Sequence, residues 1–275
     1  MNGLSVPTEK EFYVEESTKK KLLTLTKLAR TSPQNVLIKG KQGCGKSELA
    51  EQFAARLSRP YVEFQVGLLA ESGQLFGQQT LKNGQVEYQT FLFTDAIQVK
   101  NCVVVLDEIN RAENPKALNA LFSILDDRRT LYLDEIGKTV KVAEGVIFFA
   151  TINEGTEFTG IDLLDAAISD RFHVIEMGVL PMEQEIALLV ARVGVEETVA
   201  TQLVDVFNKA RNEDLFVSTR KGIQVAFLVQ EGLSVRESFE FSLGLDKDRL
   251  EKILLAIHFS REDDEASGGR TWVNL

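Results

Sequence analysis

Apolar residues along the chain follow two different periods, and the change from one to the other falls near residue 180. Before it, short apolar runs alternate with helical patterns. Asn35–Lys39, Cys102–Leu106, Val146–Thr151 and Phe172–Glu176 are brief and rich in β-branched or aromatic residues. Runs of this kind form strands buried on both faces of a parallel sheet. Tyr61–Val66 is a further strand, with Val62, Phe64 and Val66 alternating against polar neighbours. Between the runs, Leu22, Leu23, Leu25 and Leu28 predict an amphipathic helix within 14–30, stopped by Ser32-Pro33. Residues 48–57, 94–99 and 115–126 also carry helical spacing. Strand and helix in alternation predict an α/β fold.

Two stretches break the rhythm. Over 67–92, Gly67, Gly73, Gly77 and Gly84 interrupt the apolar residues, which predicts an insertion with a short helix flanked by turns or strands. Over 130–143, two β-prone runs surround a turn containing Gly137 and predict a hairpin. Beyond Pro181 the pattern is wholly helical, at 182–193, 196–211, 219–230, 235–243 and 248–259. The expected organisation is an α/β core over 1–180, a small helical domain over 181–260, and a mobile tail over 261–275 unless Trp272 docks.

Chemistry enters at Gly40–Ser47, Gly-Lys-Gln-Gly-Cys-Gly-Lys-Ser. This is G-x-x-x-x-G-K-[ST], with a strand before it and a helix after it, the context that a phosphate-binding loop needs. Glycines let consecutive N–H groups curl toward phosphate oxygens, and the following helix aims its positive end there. Gly40, Gln42, Gly43, Cys44, Gly45, Lys46, Ser47 and the adjoining Glu48 are the candidate nucleotide contacts. Lys46 can reach the β- and γ-phosphates, and Ser47 can hold Mg2+. About sixty residues on, Val103-Val104-Val105-Leu106 runs straight into Asp107-Glu108. Acids at the C-terminal end of a buried parallel strand lie where α/β sheets bind ligands. Asp107 is the second candidate magnesium ligand, and Glu108 the candidate general base.

The net charge of −10 over 275 residues disfavours a broad nucleic-acid surface, without excluding a small basic pore or loop. Two cysteines, Cys44 and Cys102, suggest neither a disulfide framework nor a zinc site. No run approaches membrane length and no stretch reads as a signal peptide, so a cytoplasmic protein is expected.

These residues resemble the AAA+ ATPases, and within them the MoxR-like branch that includes the CbbQ and NorQ proteins. The resemblance covers about residues 12–260. Asp107-Glu108-Ile109-Asn110-Arg111-Ala112 is similar to that branch's Walker B segment. Thr151-Ile152-Asn153 resembles its sensor 1, Ser169-Asp170-Arg171-Phe172 its arginine-finger segment, and Ser218-Thr219-Arg220 the start of its sensor 2 helix. The 67–92 insertion corresponds to its helix-2 insert and the 130–143 hairpin to its pre-sensor 1 hairpin. Cys44 departs from the threonine or serine common in the loop. The resemblance implies a five-stranded parallel sheet in the order 5-1-4-3-2 and a C-terminal helical lid. It implies ATP and Mg2+ as ligands, with Asn153 positioning water, Arg220 touching the γ-phosphate and Arg171 completing a neighbour's site. Arg111 is a candidate for a second interface role. The implied assembly is a homo-oligomeric ring, of hexameric type, acting on a protein client. The alternative is a nucleic-acid motor or a GTPase-type subunit of a nuclease, since restriction GTPases share the insert.

Overall fold

The computed structural model describes residues 4–66, 73–82, 84–111, 118–119, 121–154, 166–213, 215–244 and 251. Its described part divides into two compact units. One holds residues up to Gln42 and from Lys46 to Met177; the other holds Gly43–Gly45 and the chain from Gly178.

The first unit is built on five parallel strands: β1 (Gln34–Gly40), β2 (Tyr61–Gln65), β5 (Val103–Asp107), β8 (Ile147–Asn153) and β9 (His173–Met177). Their order across the sheet is β2-β5-β8-β1-β9. Numbered among themselves in chain order and read from the β9 edge, the five are 5-1-4-3-2. Successive side chains of a strand face opposite ways, so each central strand contributes to two cores. Leu37, Val104, Leu106, Phe148 and Ala150 face one side, where they meet Phe93, Leu121 and Ile124. Val36, Ile38, Val103, Val105, Ile147 and Phe149 face the other, where α1 (Glu16–Leu28) and α2 (Lys46–Arg56) supply Leu22, Leu25, Leu49, Ala50 and Phe53. Burial on both faces is why these strands read as unbroken apolar runs.

Register aligns the strands' C-terminal ends. Gly40 pairs with Asn153, and Gln65 with Asp107. The turn after β1, the acids at the end of β5 and the polar end of β8 therefore lie along one edge of the sheet.

The irregular region contains α3 (Gly73–Phe76) and a hairpin of β3 (Gly77–Lys82) with β4 (Gln85–Thr90). Leu81 and Val86 pair across it and are exposed. A second hairpin joins β6 (Thr130–Leu133) to β7 (Lys138–Lys141), with Gly137 left-handed in the turn. The helix expected over 94–99 starts earlier, as α4 (Leu92–Ala96), because buried Phe93 and Thr94 anchor it: the Thr94 hydroxyl donates to the Phe76 carbonyl at 2.8 Å. Of the helix expected over 115–126, the described part is a short α5 (Phe122–Leu125) behind 3-10 turns; residues 112–117 and 120 lie outside the described residues. A last short helix of this unit, α6 (Ala166–Ser169), precedes β9.

The second unit has four described helices: α7 (Met182–Val193), α8 (Glu197–Asn212), α9 (Thr219–Gln230) and α10 (Val235–Leu243). They enclose Leu189, Leu203, Val204, Phe207, Val225, Ala226 and Phe239. Glu185 on α7, 1% exposed, takes a bidentate pair of bonds from Arg211 at 2.7 and 2.8 Å. The same guanidinium donates to the Val217 carbonyl, just before the Ser218 cap of α9. Apart from residue 251, the helix expected over 248–259 and the tail lie outside the described residues.

Candidate functional site

β1 ends at Gly40 and α2 begins at Lys46, so five residues make the turn. Gly43 and Gly45 have φ of +79° and +92°, which side chains with a Cβ rarely adopt. The first N–H groups of α2 have no partner within their own helix, which makes this end an anion site.

Lys46 is 7% exposed. Its ammonium donates to the carbonyls of Gly40 (3.0 Å) and Lys41 (2.9 Å) and to Asn153 Oδ1 (2.8 Å). The Ser47 hydroxyl donates to Asp107 Oδ1 at 2.9 Å. That oxygen also accepts from the Thr151 hydroxyl at 2.5 Å, while Oδ2 accepts from Gln65 Nε2 at 2.9 Å.

Asp107 is the last residue of β5, and the chain then turns sharply. Glu108 is left-handed, φ +54°, a conformation rare for a residue with a Cβ. A 3-10 turn, Ile109–Arg111, follows with Ile109 fully buried. The bend is held by the Glu108 N–H, which donates to Thr151 Oγ1 at 3.0 Å. Glu108 Oε1 accepts from Asn153 Nδ2 at 2.6 Å, and Oε2 accepts from Arg111 Nη1 at 3.1 Å. Asn110 Nδ2 donates to the Asn153 carbonyl at 3.4 Å.

On the adjoining face of β2, the Tyr61 hydroxyl donates to Glu63 Oε2 at 2.8 Å and Gln65 Nε2 reaches Glu63 Oε1 at 3.4 Å. Burial raises the Glu63 carboxyl above its ordinary range; the Tyr61 bond opposes this and the charge of Asp107 adds to it. Burial, with Glu63 beside it, also pushes the Tyr61 hydroxyl up.

The structure thus brings together Lys46, Ser47, Asp107, Glu108 and Asn153. Gln42 is exposed in the turn and Cys44 is buried in it. Glu48 is directed elsewhere, toward Lys10 Nζ at 3.7 Å and Gln52 Nε2 at 3.3 Å. Arg171 is not in the cluster. It precedes β9, whose His173 pairs with Val36 and whose Met177 pairs with Gly40. Four strand residues separate those levels, roughly 13 Å. Asn35 Nδ2 holds the Arg171 carbonyl at 2.8 Å, and the guanidinium lies 4.8 Å over the Phe122 ring. Arg220 is exposed in the first turn of α9, in the second unit; within that unit its N–H donates to the Gly43 carbonyl at 3.3 Å. Sequence reasoning does not single out Gln65 or Asn110. The available signal for Gln65 is that it ends the strand that pairs with the acid-bearing one.

The arrangement is that of a phosphate-loop nucleotide hydrolase: a glycine turn with its lysine, a hydroxyl beside a strand-end aspartate, and a neighbouring carboxylate held by an amide. Comparison with known proteins narrows this. Residues 35–172 match the family "AAA domain (dynein-related subfamily)", and residues 185–246 match "CbbQ/NirQ/NorQ C-terminal". The chain is 45% identical over 262 residues to "Putative chaperone BssE" of Thauera aromatica, spanning 94% of this chain and 91% of that one. It is 27% identical over 213 residues to NorQ of Paracoccus denitrificans, spanning 76% and 77%. Among solved structures, the Thermotoga maritima RuvB Holliday junction branch migration motor superposes with a TM-score of 0.58 at 19% identity, covering 88% of this chain and 76% of that one. The chain belongs to the MoxR-like AAA+ ATPases, of the CbbQ/NorQ type. None of its described helices is long and apolar enough to cross a membrane.

Proposed function

We propose that this ATPase works as a ring-forming remodelling factor on a protein client, with hydrolysis carried by Lys46, Ser47, Asp107, Glu108 and Asn153. The observation that carries the reading is the continuous polar chain at the sheet's C-terminal edge. Lys46 bonds to Asn153, Asn153 to Glu108, and Ser47 to Asp107. Lys46 donates there to neutral oxygens, and a phosphate oxygen is a better acceptor for a buried ammonium. The Ser47 hydroxyl and the Asp107 carboxylate are hard oxygen donors on adjacent elements, a fit to Mg2+. When bound, the ion neutralises charge on the phosphates. Glu108 accepts the proton of the attacking water, and Asn153 orients that water or reads the γ-phosphate. Glu48, directed away from the cluster, has no part in this scheme.

Arg171 lies at the far end of the sheet from its own phosphate loop, and it acts on the site of a neighbouring copy. Arginines supplied in this way raise rates by roughly a thousand- to a hundred-thousandfold in phosphoryl transfer. Arg220, on the helical unit, reports γ-phosphate to that unit. The ring is a homo-oligomer of hexameric type, and the two hairpins of the core carry its force to the client. A client of protein type is supported by the chaperone designation of the Thauera relative.

The test is capture with Glu108→Gln, which binds ATP and stalls before hydrolysis. A protein that is recovered with this variant from native lysate, survives nuclease treatment and is lost without ATP supports the reading. Recovery of nucleic acid, or of a nuclease subunit that leaves with it, overturns the protein-client part.

A further inference from the structure

One buried amide clamps two neighbouring segments at the N-terminal end of the sheet. Asn35, the second residue of β1, is 2% exposed. Its Nδ2 donates to the Leu125 carbonyl at the end of α5 and to the Arg171 carbonyl ahead of β9, each at 2.8 Å. Phe122 opens α5, and its ring centre lies 4.8 Å from the carbon of the Arg171 guanidinium. The ring packs against the core that contains Leu121 and Ile124, so it is itself fixed. One side chain of β1 thus sets both the aromatic shelf and the segment that carries the arginine upon it.

The shelf holds the cation without neutralising it. An aromatic ring attracts a guanidinium through its π face and takes up none of its N–H groups, whereas a carboxylate would take them up. Asp126, the residue after α5, is engaged by Arg128 instead. Its Oδ1 accepts the Arg128 N–H at 2.9 Å, and its Oδ2 accepts the Arg128 guanidinium at 2.7 and 3.0 Å. Those bonds hold the Asp126 carboxyl below its ordinary range, and the charge of Arg171 adds to this. Arg171 donates through Nη1 to the Ala167 carbonyl, and its Nε has no partner among the described residues.

We infer that Phe122 is a positioning residue for Arg171, holding its guanidinium charged and with donors to spare for the phosphates in a neighbouring copy. A free arginine side chain loses rotamer freedom each time it engages a ligand. On the ring, part of that loss is already made, so less of it falls on the reaction. The inference rests on the reading that Arg171 acts on the site of a neighbouring copy.

The experiment compares ATP hydrolysis by the full chain with that of Phe122→Leu, Phe122→Tyr and Arg171→Ala, with assembly matched by sizing. Phe122→Leu is expected to lower kcat about two- to tenfold and to leave KM for ATP unchanged, because each copy's own phosphate loop is untouched. Phe122→Tyr keeps the ring and is expected to restore kcat. In single-turnover measurements, Phe122→Leu added to Arg171→Ala is expected to cost nothing further, since the ring then has no cation to hold. An unchanged kcat in Phe122→Leu overturns the inference. So does a loss that Phe122→Tyr shares in full, or one that persists in the Arg171→Ala background; either makes Phe122 a packing residue alone. If Phe122→Leu does not fold, Phe122→Met takes its place with the same outcomes. Arg171→Ala separates the two readings. Full turnover in that variant defeats the trans arginine itself, whereas lost turnover there beside an unchanged Phe122→Leu defeats only the role of Phe122.

Discussion

The two ends of the central sheet hold buried polar side chains of similar kinds and use them in opposite ways. At the C-terminal end, most of them bond to one another: Lys46 to Asn153, Asn153 to Glu108, Ser47 and Thr151 to Asp107, although Lys46 also donates to the Gly40 and Lys41 carbonyls. At the N-terminal end, they bond to backbone carbonyls of strand-entering loops, of the start of β1 and of the end of α5. Arg59, 6% exposed, donates to the Gly145 carbonyl at 2.9 Å and the Asn101 carbonyl at 3.5 Å. Arg129 donates to the carbonyls of Ile124 and Gln34, and Asn35 to those of Leu125 and Arg171. A backbone carbonyl left without a partner at the end of its element has few alternatives to such a donor, so these bonds are fixed staples. A side chain bonded to another side chain can exchange it for a ligand. The burden is visible at the stapled end: burial lowers the Arg59 guanidinium from its ordinary range and brings that of Arg129 down to about 10. A buried cation is thus no marker of function in itself; Lys46 is set apart by the Asn153 side chain it also holds.

The widest separation between the two ends is expected from Lys46→Met. Loss of the ammonium should reduce turnover at least about a hundredfold, the scale of one lost charge-stabilising donor. Thermal stability should change little, because relief of the buried ammonium's desolvation offsets the donor lost to the Gly40 and Lys41 carbonyls. Phosphate release and a thermal melt on the same preparation read both quantities. A melting temperature several degrees lower would place Lys46 among the staples and erase the contrast.

Arg59→Met should do the converse. The guanidinium leaves its place over the Phe53 ring, and the Gly145 carbonyl loses its charged donor. A loss of about 1–3 kcal/mol in unfolding free energy is expected, with kcat per folded molecule unchanged. Denaturant titration checks the first and active-site-normalised turnover the second. Lost turnover in a protein of unaltered stability would mean that the N-terminal end also serves the chemistry.

How far this was readable from the sequence follows the same division. The phosphate turn, the acids of β5 and the five strands of the sheet are legible because each is a local signal: a glycine spacing, an apolar run, a run ending in carboxylates. Gln65 and Asn110 are not, because their partners come from strand adjacency, which only the register reveals. Arg59, Arg129 and Asn35 are illegible for another reason: their acceptors are backbone carbonyls, identical at every residue. Local spacing places the start of α4 too late, because burial of Phe93 and the Thr94 bond to Phe76 outweigh it.

Thr151 carries the finest test, since it has one bond of each kind. It is fully buried in β8 at the C-terminal end. Its hydroxyl accepts the Glu108 N–H, a staple on a left-handed bend, and donates to the Asp107 carboxylate, a bond of the exchangeable sort. Thr151→Val keeps the shape and removes both. Stability should fall by about 1–2 kcal/mol, because the Glu108 N–H and one Asp107 oxygen lose a partner. Turnover should fall as well, by about tenfold or less, as the bend that aims Glu108 loosens. Thr151→Ser retains the hydroxyl and should recover most of both losses, with a remainder of under about 1 kcal/mol for the missing methyl. Stability lost with kcat intact would make Thr151 a staple that happens to lie at the reactive edge. Turnover lost with stability intact would mean that its bond to Asp107 alone matters, and that the Glu108 bend holds itself.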